Sequence, residues 1–232
     1  MESNKYTVTF ATIVCVLLSI LLSVTYVSLK DKQEMNRKVD QQKNILIAAG
    51  IEVDSNDKVA SIFNQNVQSL VIDFKGNVLK DKLIDDIESN SNELPIYKII
   101  DNGEVKSYVY PAQGVGLWST LYGYVAVKPN GSTIIGLTFY KEAETPGLGA
   151  EITKPWFRNN FINKEINKGK KIVGITVVKG KARDQVNYKT DKAHMVDGIS
   201  GATITGNGVT SMMKRYPIKY APFFKKIQIN RG

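Results

Sequence analysis

The hydrophobic pattern changes period twice along the chain. From Tyr6 to Leu29 there is no charged residue and no polar face: Lys5 precedes the run and Lys30 follows it. About 24 residues at about 1.5 Å each reach about 36 Å as a helix, enough to cross a bilayer core with some tilt. Tyr6 and Tyr26 suit its two interfaces. A cleaved signal peptide would have a shorter apolar core and a small-x-small site. This run is longer and has no clear Ala-x-Ala, so it reads as an uncleaved anchor. From Asp31 to Ala49 the pattern turns charged and then amphipathic, with Met35, Val39, Ile45 and Leu46 at roughly helical spacing and Gly50 as the stop. A second short helix is expected over Asp57 to Leu70.

Beyond Ser69 the period shortens. Leu70 to Phe74 reads as a strand closed by a Gly76-Asn77 turn. Ile96–Ile100 and Lys106–Tyr110 bracket Asp101-Asn-Gly103, a hairpin signature. Leu121–Val127 and Ser132–Tyr140 bracket Pro129-Asn-Gly131, a second hairpin. Lys170 to Val178 is β-branched and apolar, a further strand. Trp156, Phe157, Phe161 and Ile162 predict a helix over Lys154 to Ile166. Two more are expected over Asn207–Arg215 and Tyr220–Ile229. The fold class is therefore α+β: a single N-terminal transmembrane helix, then a domain with a largely antiparallel sheet and flanking helices. The organisation is a short tail over 1–5, the anchor over 6–29, a helical connector over 30–68 and the domain over 69–232.

The formal charge of +9 changes this picture little. The lysines are scattered, with no dense basic run and no finger or helix-turn-helix spacing, so nucleic acid is not an expected partner. Cys15 is the only cysteine and lies inside the apolar run, which excludes an intrachain disulfide. His194 is the only histidine and reads as a loop residue; a His-based metal site or a Ser-His-Asp triad has little to build on. No metal site is expected.

Three glycine-rich stretches carry the candidate chemistry: Gly114-Val-Gly-Leu-Trp-Ser119, Glu144-Thr-Pro-Gly-Leu-Gly149 and Asp197-Gly-Ile-Ser-Gly-Ala-Thr-Ile-Thr-Gly206. The third has small residues that let backbone N–H groups approach an anion. It also has the hydroxyls of Ser200, Thr203 and Thr205, and a helix expected just after it. That suits a phosphate cradle, and equally an ordinary turn and helix cap. The second contains a Pro-Gly turn. The first sets Leu117 and Trp118 beside glycine, a lining that suits a planar heterocycle as well as a core.

Asp197-Gly-Ile-Ser-Gly-Ala-Thr203 closely resembles the acceptor motif for covalent FMN. Together with Gly-Leu-Trp-Ser119, Glu-Thr-Pro-Gly-Leu-Gly149 and Asn44-Ile-Leu-Ile-Ala-Ala-Gly50, it is similar to the C-subunit family of the Na+-translocating NADH:quinone reductase. The resemblance runs from the anchor to about Thr210. It implies an FMN-binding domain with FMN joined to Thr203 through a phosphoester made by a separate flavin transferase. Ser200, Gly201, Ala202 and Thr205 would shape the phosphate and ribityl end. Thr145, Gly147, Leu148 and Gly149 would line the ring, with Leu117, Trp118 and Ser119 beside it. Glu144 would meet a ribityl hydroxyl or hold its loop, and Asp197 would serve transferase recognition or a turn. The implied role is a one-electron carrier from an iron centre to the FMN of the B subunit, within a sodium-transporting translocase whose other components are the A, B, D, E and F subunits. The G subunit of the Rnf electron-transport complex shares the acceptor motif and the anchor, and a membrane-anchored flavin sensor or a flavin-free structural component are the other readings. Lys30, Lys32, Arg37 and Lys38 after the anchor would by charge bias put the domain in the cytoplasm. The resemblance implies the periplasmic side of the bacterial inner membrane.

Overall fold

The computed structural model describes residues 2–88 and 91–229. Two compact units divide near Asp40: residues 1–40 and residues 41–232. Helix α1 (Glu2–Ala48) is continuous. Its apolar stretch buries nothing: Val8, Leu17, Leu22 and Val27 are between 61% and 70% exposed. Several of its hydroxyls turn back onto the helix, Thr12 to Val8 O at 2.9 Å, Ser19 to Cys15 O at 2.7 Å and Thr25 to Leu21 O at 2.8 Å. Such self-satisfaction suits a span with no water to bond.

In the larger unit, α1 stops as its sequence predicts. Gly50 takes φ +79°, its N–H donates to Ile47 O at 3.0 Å and that of Ile51 to Leu46 O at 2.9 Å, a Schellman closure. Helix α2 (Asn56–Asn66) starts at the Ser55 cap and ends earlier than predicted, because Val67 already pairs in the sheet. The strands are β1 (Val67–Asp73), β2 (Val78–Leu79), β3 (Glu93–Asp101), β4 (Glu104–Val115), β5 (Thr120–Val127) and β6 (Ile134–Lys141). They form one antiparallel sheet in the order β2-β1-β3-β4-β5-β6. The predicted β3–β4 turn has positive φ at both Asn102 (51°) and Gly103 (79°), as a two-residue hairpin turn requires.

The segment after β6 departs from expectation. Instead of a helix over 154–166 there is one helical turn, α3 (Pro155–Arg158), and a 3-10 turn to Phe161. Asn163 at φ +62° lies just beyond it. Phe157 and Phe161 are nevertheless fully buried, 5.5 Å apart edge to face. The expected strand over 170–178 is broken at Gly174, φ +69°, where a Cβ would lie 2.5 Å from Met213 O. Its halves pair differently: β7 (Asn167–Lys168) with β8 (Lys171–Ile172) antiparallel, and β9 (Thr176–Val177) with the later β10 (Met195–Val196) in parallel. Between them lies α4 (Tyr188–Asp191). The two C-terminal helices are a single one, α5 (Thr203–Ile229), running through Pro217 and Pro222 and starting four residues earlier than predicted. Proline in a helix costs about 3 kcal/mol. Burial of Tyr220, Phe223 and Phe224 just beyond Pro217 offsets it, at about 1.5–3 kcal/mol per large apolar side chain. Tyr220 stacks on Tyr110 of β4 at 4.4 Å and donates to Pro95 O at 3.0 Å. On the other sheet face, Phe63 of α2 packs edge-on against Tyr97 at 6.3 Å, and Tyr97 against Tyr124 at 6.0 Å.

Candidate functional site

Three backbone segments converge where α5 begins. The first, Gly116 to Ser119, is the four-residue loop of the β4–β5 hairpin, closed by Gly116 N–H to Ser119 O at 2.8 Å. The second, Glu144 to Gly149, follows β6; the Thr145 carbonyl accepts from Leu148 N–H at 3.1 Å and Ala150 N–H at 3.2 Å, and Gly147 takes φ +76°. The third is the turn leading into α5, with Gly201 at φ +74°.

Glycine contact sets the end of β4, just before the first segment, against the start of α5. A Cβ on Gly114 would lie 2.3 Å from Gly208 O, and one on Gly208 would lie 2.2 Å from Val115 O. Only paired glycines let the first turns of α5 rest on the end of β4. Val177 of β9 adds a tie, its N–H donating to Thr210 Oγ1 at 2.9 Å.

Glu144 joins all three segments. It is 5% exposed. One oxygen accepts from Leu117 N–H at 3.0 Å and from Thr205 Oγ1 at 2.6 Å. The other accepts from Trp118 N–H at 2.9 Å, Ser119 N–H at 3.1 Å and Ser119 Oγ at 3.4 Å. Burial alone would raise its pKa; the donors from Thr205, Trp118, Leu117 and Ser119 outweigh burial and hold it below the ordinary glutamate value.

Thr203 is the first residue of α5 and is exposed. The buried Ala202 stands at the cap position: its carbonyl accepts from Gly206 N–H at 2.9 Å, and among the described residues no side chain caps this end. The first N–H groups of α5 are left for another acceptor. A cavity of about 260 Å³ opens on one side of Thr203, walled by Leu117, Trp118, Thr145, Leu148 and Ile204 around Glu144. A second, of about 520 Å³, also borders Thr203 and is lined by Trp156, Lys179, Lys181, Ile199, Ser200 and Asn207. Leu117, Trp118, Leu148 and Ile204 are 51%, 72%, 41% and 53% exposed, apolar surface facing outward.

The predicted residues thus gather in one place with divided tasks. Thr203, Gly201, Ala202, Leu117, Trp118, Thr145, Leu148, Gly149 and Thr205 all border the smaller cavity, and Ser200 the larger. Thr205 is buried with its hydroxyl given to Glu144, and Ser119 shares that carboxylate. Gly147 shapes the turn. Asp197 is a tether: it accepts from Ala182 N–H at 2.8 Å and pairs with Lys181 at 3.0 Å. Its pKa is raised by burial but lowered more by these partners. His194 lies in a 3-10 turn with Nδ1 2.6 Å from Glu165 O. Nothing in the sequence pattern singles out the Lys179-Gly-Lys181 wall. It reaches the site through the parallel β9–β10 pairing and the Gly198 N–H to Gly180 O bond at 2.8 Å, which no local signal announces.

Residues 116–216 match the FMN-binding domain family. Fold and site define an FMN-binding domain in a chain whose N-terminal helix is long and apolar enough to cross a membrane. The chain is 34% identical over 215 residues to the C subunit of the Na+-translocating NADH-quinone reductase of Vibrio alginolyticus, covering 82% of this chain and 81% of that one. It is 32% identical to the C subunit of Haemophilus ducreyi over 99% of this chain and 98% of the relative. The crystal structure of the Parabacteroides distasonis C subunit superposes with a TM-score of 0.75 at 30% identity, over 84% of this chain and 96% of that chain. The chain belongs to the C-subunit family of the Na+-translocating NADH-quinone reductases.

Proposed function

We propose that this protein carries FMN as a phosphoester on Thr203 and relays single electrons within a sodium-transporting NADH:quinone reductase. The observation that carries the reading is the position of Thr203. Its exposed hydroxyl stands at the uncapped start of α5 where two cavities meet, while Thr205, two residues on, is buried and engaged.

The residues suit the group. The free N–H groups at the start of α5, with Ser200 and Lys179 nearby, meet a phosphate. Gly201 leaves room that a Cβ would take from Leu148, 2.9 Å away. Leu117, Trp118 and Leu148 offer apolar walls to a planar ring, and Thr145 borders the same cavity. Bound FMN supplies the one-electron redox chemistry; the chain holds it, orients it and sets its polarity. The phosphoester keeps it from exchanging with the bulk phase.

In this reading electrons arrive from an iron centre of neighbouring membrane subunits and leave for the FMN of the B subunit, with the A, D, E and F subunits completing the assembly. A flavin transferase makes the bond during maturation. The α1 span anchors the chain in the bacterial inner membrane with the domain on the periplasmic side. Relatives named as C subunits of the Na+-translocating NADH-quinone reductase support its place in that complex.

Intact mass after co-expression with a flavin transferase tests the core of the reading. The wild type is expected to gain one FMN less water and to fluoresce after denaturation, and Thr203→Ala to gain nothing. A wild type without the added mass despite an active transferase would overturn it.

A further inference from the structure

We propose that Glu144 is the positioning residue of this site: its carboxylate fastens the Leu117–Trp118 loop to the attachment helix and holds a fixed negative charge in the wall of the ring cavity. The inference rests on Thr203 as the attachment point of FMN.

Three consecutive N–H groups, those of Leu117, Trp118 and Ser119, point at one carboxylate. Such a concave run of amides is an anion site built from backbone, here filled by the protein's own side chain. Apolar burial does not hold this loop, since Leu117 and Trp118 are 51% and 72% exposed. The carboxylate holds it, and through Thr205 Oγ1 at 2.6 Å it ties the loop to α5 two residues past Thr203. The neighbouring glycines make room for it. A Cβ on Gly116 would lie 2.5 Å from Glu144 Oε1, and one on Gly149 2.8 Å from Oε2. A glutamine has the same shape but one acceptor oxygen, so its amide group would face N–H donors and leave at least one unpaired.

Two consequences follow for a ring lying against this wall. Its apolar side is fixed in place before binding, which lowers the ordering cost of holding it. A buried negative charge beside it also opposes the arrival of an electron. Loss of that charge would therefore raise the potential of the bound flavin.

The test uses the full chain with Glu144→Gln and Glu144→Asp. In flavin-free protein, hydrogen exchange at Leu117, Trp118 and Ser119 is expected to accelerate roughly tenfold or more in E144Q. In protein loaded by co-expressed transferase, the FMN potential is expected to rise, shifting the oxidised-to-reduced ratio at a fixed applied potential by roughly tenfold. E144D keeps the charge on a shorter arm, so exchange should accelerate while the potential stays near that of the wild type. E144D also serves as the folded variant if E144Q does not accumulate. Unchanged exchange in either variant, or an unchanged potential in E144Q, would overturn the proposal. The exchange arm needs no flavin, so its outcome is separate from that of the Thr203→Ala experiment.

Discussion

The two long helices, α1 and α5, draw on similar residues and solve opposite problems. Between Tyr6 and Leu29, α1 is apolar all round and its side chains lie open, with Leu17 at 61% and Leu22 at 70% exposure. Helix α5 divides its circumference. Val209, Met212, Met213, Tyr220, Phe223 and Phe224 are buried, while Lys214, Arg215, Lys219, Lys225 and Lys226 are exposed. Helical hydrophobicity alone does not say where a helix goes. The presence or absence of a charged stripe does, because a helix without one has no face to give to water. The hydroxyls of Thr12, Ser19 and Thr25 in α1 are spent on their own helix, whereas Thr205 of α5 gives its hydroxyl outward to Glu144.

The contrast breaks most sharply at the anchor. Leu17→Lys with Leu18→Lys should each cost about 2.5–3.5 kcal/mol of membrane insertion. The double variant is expected to leave the membrane fraction on flotation, with the domain's far-UV spectrum kept. In α5, Tyr220→Ala removes the stacked partner of Tyr110 and should destabilise the domain by about 3–5 kcal/mol in denaturant unfolding. Gly208→Ala forces a Cβ against Val115 O and should cost about 1–3 kcal/mol, with slower flavin attachment at Thr203 in a transferase time course. Ile218→Lys, on the exposed stripe at 59% exposure, should change stability by less than about 0.5 kcal/mol. A large loss there would show that α5 hides a second apolar contact.

Some of this architecture is legible in the sequence itself. The Asn102-Gly103 turn, the Gly50 stop and the charge-free run each depend on a conformation or solvent that few residues allow, so local sequence decides them. The three glycine-rich stretches border one cavity, although no spacing between them announces it. What stays illegible depends on distant partners. Gly174 splits an apparent strand because Met213 O lies behind it. Pro217 does not end α5 because the sheet beneath rewards continuation through Tyr220. Gly114 lies in a stretch that suits ligand approach, yet what comes close to it is the backbone of Gly208 in α5. Glu144 receives donors from 25 to 61 positions away, a pattern no spacing rule contains.

The Glu144 junction also makes the fold a proton-linked equilibrium. Its pKa is lowered in the folded state, so the folded chain binds fewer protons there than the unfolded chain as the medium acidifies. The stability it contributes is complete above the ordinary glutamate value and disappears as the pH falls through the lower folded value. Acid should therefore loosen the hairpin loop beside Thr203 before it reaches the stacked tyrosines of α5 and β4, whose phenols are neutral throughout that range and bind no further proton.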